Sequence, residues 1–97
     1  MMLPLEIDKR AVDFIEALQA KPFKQVMGKI LSLLKTPFPQ DSRLLQGYSG
    51  LFRVDVGEYR VIYEPDPADE PVLIRIVLAG KRNDDAVYRE LRRIVGH

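Results

Sequence analysis

The segment Leu51–Tyr63, LFRVDVGEYRVIY, constrains this chain more than any other. Gly57-Glu58 separates two runs in which side-chain character alternates. A glycine at the first position of a two-residue loop suits a type II′ turn, whose twist matches that of the flanking strands. A hairpin closed there pairs Val56 with Tyr59, Asp55 with Arg60, Val54 with Val61, Arg53 with Ile62 and Phe52 with Tyr63. Strand side chains alternate between faces. One face therefore carries Phe52, Val54, Val56, Tyr59, Val61 and Tyr63, and the other carries Arg53, Asp55, Arg60, Ile62 and Glu64. An apolar sheet face of this kind has to be covered by another layer.

The N-terminal half supplies the cover. Pro4–Ile7 reads as a short first strand. The period then changes: Ala11, Phe14, Ile15 and Leu18 recur at helical spacing, and Asp8 is placed to cap the start. Pro22 interrupts this pattern and suits the first turn of a second helix, whose stripe is Val26, Ile30, Leu33 and Leu34. The prolines of TPFPQD end it, so the two helices form an αα-hairpin. Downstream of the β-hairpin, Glu64–Pro71 reads as a polar loop whose prolines exclude a central strand. Val72–Gly80 is the most apolar strand, with Ile74, Ile76 and Leu78 assigned to the core face and Leu73, Arg75 and Val77 opposite. Asn83 or Asp84 can cap a last helix carrying Val87, Leu91 and Ile94. The order is β-α-α-β-β-β-α. The expected class is α+β: a small antiparallel sheet with helices covering one face, namely an N-terminal helical hairpin packed there and a C-terminal helix. At 97 residues the chain is expected to form a single domain, 1–97.

Composition narrows the chemistry. Fifteen basic and 14 acidic residues leave a net charge of +1, so a nucleic-acid role needs local clustering of arginine and lysine. There is no cysteine, which removes disulfides and thiolate metal sites. His97, the only histidine, is the last residue, a poor place for a triad or a metal ligand. No cofactor motif is present, and no window approaches the roughly 18 apolar residues of a membrane span. These features predict a cytoplasmic protein with no cofactor, no metal and no membrane partner.

The polar sheet face is the candidate site. It carries Arg53, Arg60 and Arg75, with Asp55 among them. Lys81 and Arg82 follow the apolar strand, and Tyr88 lies early in the last helix. Arginine forks bind phosphate oxygens in pairs, and a tyrosine ring can stack on an unpaired base. The same residues also admit a plain structural reading. Asp55 and Arg60 make an ordinary cross-strand ion pair, worth about 0.2–1 kcal/mol, Lys81 and Arg82 are solvated loop charges, and Arg75 is a structural arginine.

Two segments weigh on this choice. LLQGYSGLFRVDVGEYRVIYE and VLIRIVLAGKRNDDAVY, in this order and downstream of a helical hairpin, resemble the RelE/ParE superfamily of bacterial toxins over nearly the full length. The resemblance implies one of two activities. RelE-type members are ribosome-dependent, metal-independent endoribonucleases that cut messenger RNA in the decoding site. ParE-type members poison DNA gyrase. The resemblance to the RelE branch implies a basic strand residue at Arg53, a phosphate contact at Arg60, a general acid at Arg82, a base-stacking ring at Tyr88, and a place in the basic motif for Lys81. It also implies a cognate antitoxin as partner, beside the ribosome and mRNA. Asp55 departs from the pattern, because one branch has lysine there as part of the base machinery. It either acts as base itself, orients Arg60, or marks an attenuated or inert homologue.

Overall fold

The computed structural model describes residues 2–83 and 86–95. Leu5–Ile7 forms β1, Lys9–Glu16 α1 and Ala20–Leu33 α2. Then come β2 (Arg43–Leu44), β3 (Phe52–Val56), β4 (Tyr59–Asp66), β5 (Leu73–Lys81) and α3 (Ala86–Val95). The strands form one sheet in the order β1-β5-β4-β3-β2. The class is α+β, as expected, with β2 as an added two-residue edge strand. The sheet is mixed rather than wholly antiparallel, because β1 runs parallel to β5. Alternation in sequence encodes which face a residue takes, not which way its strand runs.

The local signals act where the sequence places them. The Asp8 carboxylate accepts a hydrogen bond from the Arg10 N–H at 2.9 Å, capping α1. Pro22 sits in the first turn of α2. Gly57 has φ +59°, the left-handed region that a glycine enters without penalty. The hairpin register is the one read from the sequence, from Val56 opposite Tyr59 out to Phe52 opposite Tyr63. Asp84, one of the two expected caps of α3, and His97 lie outside the described residues.

Helices α1 and α2 cover the apolar face. Ala11, Ile15, Val26, Ile30 and Leu33 pack against Val54, Val61, Tyr63, Ile74 and Ile76. Tyr63 is fully buried, and its hydroxyl donates to the Pro37 carbonyl at 2.7 Å, tying the segment after α2 to the sheet. Burial pushes the Tyr63 phenol up to about 12 from its usual 10. A phenol whose folded value is raised favours the folded state fully below the unfolded value, and loses that contribution as pH rises from 10 through 12. Tyr63→Phe is therefore expected to cost about 1 kcal/mol at pH 8 through the lost hydrogen bond. It should also lose less stability than the wild type between pH 8 and pH 11.5. Urea unfolding at both pH values checks this.

Three features differ from the sequence reading. The register slips between Ile62 and Tyr63, so that Ile62 faces Leu78 but Tyr63 faces Ile76, leaving Val77 as a bulge. Beyond the bulge the faces of β5 exchange, and Leu78 joins Ile62 on the second face instead of the α1–α2 core. That apolar strip needs its own cover, and α3 provides it: Val87 and Leu91 pack on Ile62 and Leu78 with Leu45 and Leu51. The helices thus lie on both faces of the sheet rather than on one. Finally, Glu64, Pro65 and Asp66 belong to β4 and not to a loop. Pro65 is tolerated because β4 outruns β3 there and pairs only with β5. No helix among the described residues is long and apolar enough to cross a membrane.

Candidate functional site

The second face of the sheet is divided. Its middle, Ile62 and Leu78, is sealed by α3. Its hairpin end is left open and holds Asp55 at the focus of three arginines. Asp55 and Arg60 face each other across the β3–β4 ladder. The guanidinium grips the carboxylate through two hydrogen bonds, Nε to Oδ1 at 2.8 Å and Nη2 to Oδ2 at 3.2 Å. Arg53, two residues before Asp55 on the same strand and face, brings Nη1 to 3.9 Å of Oδ2. Arg82 arrives from the end of β5 and brings Nη1 to 4.0 Å of the same oxygen.

Each arginine is placed by a different device. Arg60 is held by Asp55 below and by Tyr88 above. Its Nη1 donates to the Tyr88 hydroxyl, and its guanidinium carbon lies 5.8 Å from the ring centroid. Arg82 is pinned by its backbone, whose N–H donates to the Glu58 carbonyl of the hairpin turn at 3.0 Å. Gly80 lets α3 come close enough to bring Tyr88 over the sheet. It stands opposite Arg60 on the neighbouring strand, and a Cβ there would meet the Val87 side chain at 3.3 Å. A glycine inside the most apolar strand is a recognised sign of close approach, and Gly80 is the signal in the sequence that points to it.

The electrostatics follow from the geometry. The hydrogen bond from Arg60 lowers the Asp55 carboxyl below its usual value, helped by the charges of Arg60, Arg53 and Arg82, against the opposing effect of burial. The hydrogen bond to Asp55 raises Arg60, with Tyr88 adding to it. The side chain of Arg60 is 15% exposed, whereas that of Arg82 is 47% exposed. Among the described residues, one carboxylate stands among three guanidinium groups, which leaves a surplus of positive charge. Asp55 is a weak proton acceptor in this setting, since both of its oxygens already accept from Arg60.

Two of the sequence candidates lie elsewhere. Arg75 shares the face but not the cluster. It pairs with Glu64 at 2.6 Å and Glu6 at 3.1 Å, lies 3.7 Å from Asp66, and lines a separate cleft with Asp8, Val77 and Ile94. Lys81 stands opposite Tyr59 in register, on the α1–α2 side of the sheet, because the bulge exchanges the faces of β5. It borders a cleft between α1 and α3, with Arg10, Phe14 and Glu90. Arg53, Asp55, Arg60, Arg82 and Tyr88 are the residues brought together.

This arrangement can be compared with known proteins. The family model of the ParE toxin of type II toxin–antitoxin systems, parDE, matches residues 5–85. The chain belongs to the ParE toxin family. Solved structures place this family member within the wider RelE/ParE superfamily. The free form of an E. coli RelE mutant, with two arginines replaced by alanine, is 26% identical. It superposes with a TM-score of 0.75 over 97% of this chain and 99% of that one. The same mutant bound to a peptide of the antitoxin RelB is 25% identical, with a TM-score of 0.70 over 94% of this chain and 95% of that one. The archaeal RelE of Pyrococcus horikoshii, in its RelE–RelB complex, is 25% identical, with a TM-score of 0.71 over 84% of this chain and 97% of that one. No curated protein sequence matches the chain at a significant level.

Proposed function

We propose that this toxin is a ribosome-dependent endoribonuclease that cleaves translated mRNA. One observation carries the reading: Arg53, Arg60 and Arg82 converge on a single point of the exposed hairpin end, with the Tyr88 ring at its edge. A phosphodiester is the ligand that such forks suit. The reaction is attack of a ribose 2′-OH on the adjacent phosphate, leaving a 2′,3′-cyclic phosphate and a 5′-OH. Arg60 and Arg53 stabilise the extra negative charge on the phosphate, the 2′-OH proton passes to solvent water, and Arg82 protonates the departing 5′-oxygen and regains its proton from water. Tyr88 stacks on the neighbouring base once its hydroxyl leaves Arg60. Among the described residues the site holds no strong base, so the ribosome is needed to bend the RNA into in-line geometry, and free RNA is expected to be a poor substrate. A RelB-like antitoxin neutralises the toxin, as the RelE relatives are seen bound to RelB.

The matched family itself supports a second reading, a gyrase poison of the ParE kind. The two separate in one experiment. Express the toxin from a tight promoter, map mRNA 5′ ends across the transcriptome, and assay gyrase-linked DNA breaks in the same cells. Cuts confined to translated frames are expected. Intact mRNA with gyrase-linked breaks moves the assignment to the ParE activity, and growth without either leaves an inert antitoxin-binding module.

A further inference from the structure

The arginine cluster is already filled, and what fills it comes from the chain itself. Asp55 presents two oxygens to Arg60 at 2.8 and 3.2 Å, the bidentate contact by which a guanidinium takes two oxygens of a phosphate. Arg53 and Arg82 close round the same carboxylate at 3.9 and 4.0 Å, too far for hydrogen bonds. Neither of these side chains donates a hydrogen bond to any other described residue. Both are about one-third to one-half exposed. Among the described residues, the cluster thus holds more donors than one carboxylate uses, and it is reachable from solvent.

We propose that Asp55 is a resident anion in the phosphate seat, which an RNA phosphate must displace from Arg60 before it can bind. Three facts favour this over a purely structural pair. Among the described residues, the cluster keeps a surplus of positive charge with Asp55 in place. Among the described residues, two of its three arginines donate no side-chain hydrogen bond. The carboxylate sits on a β-strand at the face open to solvent, so a rotation about its own side-chain bonds releases it without moving the backbone. A toxin so arranged is held in a low-affinity state for phosphate until a polyanion, prepositioned by a larger partner, offers more contacts than one carboxylate can.

The inference rests on reading the cluster as a phosphate site, but its test needs neither ribosome nor cleavage. Inorganic phosphate is titrated into the free protein while the arginine Nε–Hε signals and the Asp55 carboxylate carbon are followed by NMR. In the wild type, the Arg60 and Asp55 signals are expected to move together as phosphate replaces the carboxylate. In Asp55→Asn, and separately in Asp55→Ser, phosphate is expected to bind at least about tenfold more tightly, because the competing anion is gone. Weaker or unchanged binding in folded variants shows that Asp55 positions Arg60 for the ligand, and overturns the proposal. Phosphate binding to the wild type with the Asp55 signal unmoved overturns it too, without any variant. If phosphate binds more tightly to the variants while no mRNA is cut in cells, the inference stands and the nuclease reading falls.

Discussion

With Arg82 replaced by alanine, the proposed cleavage of translated mRNA is expected to fall by about 10²–10⁴-fold, the usual worth of a positioned acid, and growth arrest is expected to be lost. The fold should not register the change. The Arg82 side chain is 47% exposed, and its link to Asp55 is a 4.0 Å approach rather than a hydrogen bond. Exposed pairs of this kind contribute little, and substitutions at such positions usually stay within about 0.5 kcal/mol. What places Arg82 is its backbone N–H on the Glu58 carbonyl, which alanine keeps. Loss of cleavage at an unchanged unfolding midpoint therefore isolates the chemistry. Arg82→Lys sharpens the result: it retains charge but loses the planar fork, so it is expected to recover part of the activity and not all. Growth arrest at full strength in Arg82→Ala removes Arg82 from the site.

How far the site could be read from sequence depends on what each residue's position rests on. Asp55 opposite Arg60 is local: alternation and one glycine turn settle it, and the observed register agrees. The convergence of Arg53 and Arg82 on the same carboxylate is not local, because Arg82 reaches it only through the pairing of β5 with β4. The bulge at Val77 is the clearest illegible feature. Val77 and Leu78 are both apolar, so no polar residue marks the slip, yet the slip moves Leu78 and Lys81 to faces opposite those an unbroken strand gives them. Ile62 was the available clue. A large aliphatic among charges on the polar face calls for a cover, and α3 is that cover. Alternation gives the face of Arg75, but its neighbours Glu6 and Glu64 come from strands on either side of it, and only the sheet order brings them there.

Under the proposed function, Arg60 is the residue at which catalysis and stability meet, and Arg60→Ala is expected to damage both. If Arg60 holds the phosphate, its loss lowers cleavage by about 10²–10³-fold, the scale for removing one preorganised donor to a developing anion. The structural loss arises because Asp55 and Tyr88 both bond to it. Removing the guanidinium leaves a half-buried carboxylate without hydrogen bonds and frees the phenol that links α3 to β4, a cost of about 1–2 kcal/mol. The pH dependence separates the two effects. Asp55 has a carboxyl lowered chiefly by Arg60. Such a group stabilises the fold fully above the ordinary carboxylate value of 3.8 and loses that contribution as pH falls through its lower folded value. Arg60→Ala removes the main cause, so the variant is expected to lose less stability than the wild type between pH 5 and pH 2.5, while being the less stable of the two at pH 7. Asp55→Asn lacks the titrating group altogether and should show the same flattened acid limb while keeping Arg60 for the phosphate. Urea unfolding across that range, run on all three proteins beside the cleavage assay, distinguishes an arginine that only braces the hairpin from one that also holds the substrate. The first lowers stability and leaves cleavage at wild-type levels wherever the protein is folded, and that result excludes Arg60 from the site.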